Sequence, residues 1–159
     1  EWTSDGGHLS AAGSQRVASA LWWLMARIAG WSPTADPLSF HTLVPCRIVD
    51  TRNATGPYGG PALAAGAARA FTMAGQCGVP ADASAVALNV TVTNPASAGS
   101  LTVYPGTGTV PGTSTISFAA GRTRANNTTI GLVDGVLSVF DAQATGTTHF
   151  IVDVSGYYR

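Results

Sequence analysis

Asp5 and His8 stand three residues apart near the start of a 159-residue chain, followed by Leu9, Ser10 and Gly13. Residues of these types at this spacing can form a catalytic dyad. The carboxylate orients the imidazole and stabilises its charged form, and the imidazole takes a proton from a nucleophile. Two polar groups further along can do a different chemistry. Arg47, Asp50 and Arg52 fall on one predicted strand and its end, and Arg122, Arg124, Asn126 and Asn127 form a second set. Guanidinium forks and amides can hold a planar polar ligand. The first set, together with Asp153, also reads as an internal Arg–Asp network, because a lone charge in a strand is costly to bury. Tyr58, in a loop rich in Gly and Pro, offers a flat ring for stacking on a sugar.

The composition restricts the partners. Eight arginines balance seven Asp and one Glu, there is no lysine, and the net charge is zero. Such a chain presents no electrostatic case for nucleic acid or an anionic membrane. Charged residues make up 10%, far below the usual ~25%, while 45% of residues are apolar, enough to build a core rather than a disordered chain. Cys46 and Cys77 are the only cysteines. An even pair in a Thr-, Gly- and Pro-rich chain predicts one disulfide and an oxidising, extracellular location. No cofactor motif is present. Asp134, Asp141 and Asp153 do not form a spaced calcium loop, and His41 and His149 lack partners at zinc-ligand spacing, so no metal site is expected.

The elements that must position these residues change character once. Over residues 9–30, Val17, Leu21, Leu24, Met25 and Ile28 recur every three or four positions, which predicts one amphipathic helix. Ser10 is its expected N-cap and Gly30 its stop. Arg16 and Arg27 interrupt it, so no membrane span is expected. Residues 32–39 read as a linker. From residue 40 the period becomes two. Val86, Leu88, Val90 and Val92 share one face, and Asn89, Thr91 and Thr93 the other. Short alternating runs at 41–44, 47–51, 70–74, 84–93, 100–104, 114–118, 128–132, 136–140 and 149–154, separated by Gly/Pro/Asn turns, predict a mainly β chain, with about eight or nine strands in an antiparallel β-sandwich or jelly roll, preceded by the one N-terminal amphipathic α-helix.

Two resemblances add expectations. The run Asp5-Gly-Gly-His8-Leu9-Ser10-x-x-Gly13 with the helix after it resembles the last block of SGNH/GDSL esterases and lipases, D-x-x-H-x-S/N-x-x-G, over roughly residues 2–31. The resemblance implies that Asp5 holds His8 and that His8 activates a serine. That family's Gly-Asp-Ser block and its oxyanion glycine and asparagine blocks do not occur in these 159 residues, so this chain alone is expected to be inactive, and the dyad to be a remnant of a serine hydrolase. Residues 40–159, with FHTLVPCRIVDTR, GPYGGPAL, CGVP, AVALNVTVTNP, GSLTVYP, TSTISFAAGRTRANN and IVDVSGYY, resemble a module widespread in secreted proteins of high-GC soil bacteria. That resemblance implies a boundary near residue 39 and carries no activity with it.

The expected organisation is therefore a hydrolase remnant at 1–31, a linker at 32–39 and an accessory module at 40–159. The expected role is an extracellular, carbohydrate-binding-like module with polysaccharide as partner. The alternative is a self-assembling structural protein whose copies touch through residues 9–31. All four tryptophans lie in the first 31 residues, so a sugar platform in the module would rest on tyrosines, Tyr58 above all.

Overall fold

The Ser10 side chain accepts from the backbone N–H of Gly13 at 3.0 Å and caps α1 (Ala11–Ile28), satisfying one of the donors that a helix start leaves unpaired. Arg27 occupies the last turn, where a cation suits the helix dipole. Gly30, at φ +85°, ends the helix in the left-handed conformation that glycine tolerates best. Val17, Leu21, Trp22, Leu24, Met25 and Ile28 are all exposed, between 45% for Val17 and 75% for Trp22. Among the described residues no helix is long and apolar enough to cross a membrane. The computed structural model describes residues 10–30 and 37–159 and divides the chain into two units, Glu1–Pro37 and Leu38–Arg159.

The second unit holds nine strands, β1 (Phe40–Asp50), β2 (Leu63–Ala64), β3 (Ala68–Thr72), β4 (Ala85–Thr93), β5 (Gly99–Pro105), β6 (Ile116–Phe118), β7 (Arg124–Gly131), β8 (Val136–Asp141) and β9 (Thr147–Tyr158). They form two antiparallel sheets, one ordered β1-β9-β4-β7 with β2 also on β9, the other ordered β3-β8-β5-β6. The two sheets pack as a sandwich, the expected fold class. Alternation in β4 buries Val86, Leu88, Val90 and Val92 against Phe71, Leu101, Leu137 and Val139 of the other sheet and Phe150, Val152 and Val154 of β9. Phe71 and Phe150 meet at 6.1 Å between ring centroids, tilted by 37°, the offset geometry that aromatic pairs prefer.

Three features differ from the predicted strands. The two short runs 41–44 and 47–51 are one strand, β1, with register shifts between Thr42 and Cys46 and between Arg47 and Val49. Pro45 is tolerated there because β1 is an edge strand and bulges at that point, so no ladder bond depends on the missing N–H. The two-residue β2 is too short to leave a periodic signal. β7 begins at Arg124, four residues ahead of the predicted 128, because the polar run 124–127 pairs residue for residue with Asn89–Val92 of β4.

Candidate functional site

The first polar set folds into an ion-pair chain. Asp50 is buried at the end of β1. Its Oδ1 accepts from Arg52 N at 3.1 Å and Arg52 Nε at 2.8 Å, and its Oδ2 from Arg52 Nη2 at 2.6 Å. Arg47 Nη1 reaches the same Oδ2 at 3.4 Å. The rest of the Arg47 fork grips Asp153 on β9, Nε to Oδ1 at 2.7 Å and Nη2 to Oδ2 at 3.0 Å. Register places Arg47 opposite Asp153 and Asp153 opposite Asn89. The Arg52 guanidinium holds the Asp50 carboxyl down at about 2, with the Arg47 charge acting in the same direction. Every charged side chain of this set is therefore committed to another one. The arrangement ties β1 to β9 and to the turn after β1.

Tyr58 sits in that turn's continuation. Its carbonyl accepts from Asp50 N at 2.9 Å, and its half-buried ring packs against the core instead of standing clear of the loop. Arg69 on β3 pins the same loop from the other sheet. Its Nη1 donates to Pro61 O at 2.9 Å and its Nη2 to Gly56 O at 2.7 Å, with the guanidinium 4.8 Å from the Phe71 ring centroid. Burial pulls its pKa below the ordinary value. The disulfide Cys46–Cys77 links β1 to the loop after β3. The edge of the sandwich formed by β1 and β3 is thus closed by a covalent staple and by a guanidinium bound to carbonyls.

The opposite edge is built differently. β6 and β7 are the outer strands of the two sheets on that side, and a side-chain hydrogen bond ties β7 to the residue before β6, from Asn126 Nδ2 to Thr115 O at 2.8 Å. Thr115 also uses its hydroxyl to accept from Val103 N at 2.9 Å, which holds the approach to β6 on β5. The result is an open groove along the seam. One depression of about 550 Å³ is lined by Ala98, Ser117, Phe118, Ala119, Arg122, Thr123 and Arg124. A second, of about 590 Å³, shares Ser117, Thr123 and Arg124 and continues past Thr115 to Asn126. Neither contains an acidic side chain.

The second polar set is therefore split by register. Arg124 pairs with Val92 and Asn126 with Val90, whose side chains point into the core, so both face the seam. Asn127 pairs with Asn89 on the outward face and lines a separate shallow depression with Ala87, Thr129 and Ser155. Asn89, Asn127, Asp153 and Arg47 make one transverse polar row across four strands. Asn89 and Arg69 were not predicted as site residues. Asn89 lay on the polar side of a clear period-two strand, which is the signal that marks it, and Arg69 adjoins a predicted strand with nothing in sequence to point at its loop.

Of the six arginines in this unit, Arg47, Arg52 and Arg159 form ion pairs, the last with Asp82 at 3.9 Å, and Arg69 binds carbonyls. Among the described residues neither the Arg122 nor the Arg124 guanidinium has a hydrogen-bond or ion-pair partner, and both line the seam. Among the same residues no three His, Cys, Asp or Glu side chains are grouped as a metal would need. Asp5 and His8 lie outside the described residues. No family model matches the chain, and no curated protein or solved structure does either.

Proposed function

We propose that residues 40–159 form an extracellular accessory module that binds polysaccharide along the seam between β6 and β7. The observation that carries this reading is the contrast between the two sandwich edges. One is stapled shut, while the other is a groove lined by hydroxyls of Thr115, Ser117 and Thr123, the amide of Asn126 and two uncommitted guanidiniums. Sugar hydroxyls are donors and acceptors, and an elongated cleft with a few fixed polar groups suits a chain of them. The disulfide supports an oxidising, secreted setting. Residues 1–31 are, in the same proposal, the terminal block of an SGNH-type esterase. Asp5 and His8 are then the acid and base of that block.

Affinity electrophoresis of the 159-residue chain through gels containing neutral and acidic polysaccharides tests the seam. Retardation by at least one of them, lost in Arg124→Ala/Asn126→Ala, is the expected result. Retardation by none, or retardation that survives both substitutions, refutes it. The exposed stripe of α1, with Leu21 and Leu24 each 55% exposed and Ile28 74%, favours a second reading in which copies associate through residues 9–31. That reading requires a concentration-dependent larger species by size exclusion that Leu21→Asp/Ile28→Asp abolishes.

A further inference from the structure

We infer that the seam groove selects acidic polysaccharides, with the carboxylates of uronic-acid residues meeting Arg122 and Arg124. The inference rests on the seam reading and names the class of glycan it takes. Arg122 closes the turn before β7, its N–H donating to Ala119 O at 3.1 Å, Arg124 opens β7, and both side chains line one depression. Between them the Thr123 hydroxyl meets that of Thr93 at 2.8 Å. No carboxylate lines either depression. Elsewhere in the unit each guanidinium is met by a carboxylate or by backbone carbonyls. A groove that keeps two like charges side by side without a counter-ion is left complementary to a ligand that brings its own.

The geometry suits a carboxylate. A guanidinium fork pairs with the two oxygens of one carboxylate in a plane. The hydroxyls of Ser117 and Thr115 and the Asn126 amide lie further along the same groove, within reach of the uncharged hydroxyls of neighbouring sugars. Ala98 and Ala119 add small apolar surface beside Arg122, against which the C–H face of a ring can rest. A nucleic acid fits less well. Its non-specific binding comes from neutralising many phosphates with Lys and Arg, whereas the seam supplies two cations on a chain of zero net charge.

Titration calorimetry with polygalacturonate, alginate and hyaluronate fragments tests the inference, each compared with its carboxyl-reduced counterpart, which keeps the backbone and loses the charge. At least one acidic glycan is expected to bind about tenfold more tightly than its reduced form, a ratio of the size that one or two charge-assisted forks supply. Arg122→Ala and Arg124→Ala are each expected to weaken it about five- to tenfold, and the advantage to shrink between 50 and 300 mM salt. Arg159→Ala removes the same charge away from the groove and is expected to leave the affinity within about twofold. Unchanged melting of the two groove variants, whose side chains are exposed, shows that they remain folded. Equal binding of acidic and reduced glycans that still needs Arg124 keeps the seam reading and overturns the acidic selectivity. Failure of every glycan to bind overturns both. A single-stranded oligonucleotide binding as tightly as the best glycan overturns the choice of ligand class.

Discussion

Asp50→Asn measures what the β1 ion-pair chain contributes, and pH separates that contribution from packing. The Asp50 carboxyl titrates at about 2 instead of 3.8, chiefly because Arg52 hydrogen-bonds its charged form. At 1.36 kcal/mol per pKa step that displacement is worth about 2.4 kcal/mol. Both guanidiniums are 48% exposed, so screening by water brings the figure to about 1.5 kcal/mol. A depressed pKa stabilises the fold when the group is ionised. The contribution is therefore complete above the unfolded value near 3.8 and is lost as pH falls toward 2. Thermal unfolding followed by circular dichroism at steps from pH 7 to pH 2.5 is the assay, run on the parent and on Asp50→Asn. At pH 7 the variant is expected to melt roughly 6 °C lower, the shift that about 1.5 kcal/mol gives a unit of this size. The gap is expected to close through the acid range as the parent loses its carboxylate. Taking the difference removes groups common to both proteins, including Asp141, whose slope runs the other way. A gap that stays constant from pH 7 to pH 2.5 refutes the argument, because it shows that the ion pairs contribute nothing beyond the shape of the side chain.

Two further predictions concern the disulfide and a buried carboxyl. Cys46→Ser/Cys77→Ser opens a loop whose ends are 31 residues apart and is expected to cost about 3.5 kcal/mol by chain entropy, read as a lower midpoint in urea with no loss of strand signal by circular dichroism. Asp141 is fully buried, its oxygens met by Gln143 N at 3.0 Å and Gln143 Nε2 at 2.8 Å, and burial raises its pKa in spite of those bonds. Its contribution is present below the unfolded value and is lost as pH rises through the folded one. Asp141→Asn is therefore expected to gain stability relative to the parent between pH 4 and pH 7, and equal pH slopes in the two proteins would count against the raised pKa.

The fold was readable where burial follows a short period. Val86, Leu88, Val90 and Val92 alternate with small or polar residues, and the structure buries those four and no others of β4. The helix cap at Ser10 and stop at Gly30 were readable for the same reason, since each answers a local need of the backbone. The candidate site was less legible because it depends on partners. Arg122, Arg124, Asn126 and Asn127 look like one cluster along the chain, but adjacent strand residues point to opposite faces. Which face is the seam follows only from the pairing of β7 with β4. Arg47 and Asp153 are 106 residues apart, so nothing local announces their fork. Tyr58 stood in a loop of turn residues, the composition of a projecting loop. What draws it onto the core is the grip of Arg69 on the carbonyls around it.

The two edges of the sandwich give the argument for the seam its physical basis. An edge strand presents unpaired backbone groups, and proteins guard such edges with charge, bulges, short strands or cover. β1 carries bulges, Pro45 and the disulfide. β6 is three residues long, which leaves little backbone to protect, and β7 begins at an exposed arginine. Edge protection alone accounts for one charge on β7. It does not account for two guanidiniums on one side of the same groove, since an acidic partner nearby would guard the edge equally well without leaving like charges adjacent. Both are exposed, and in water the repulsion between two neighbouring cations is about 1 kcal/mol or less, small enough for a folded domain to carry. A bound carboxylate turns that repulsion into attraction at both cations, so the groove gains more from an acidic ligand than from a neutral one of the same shape.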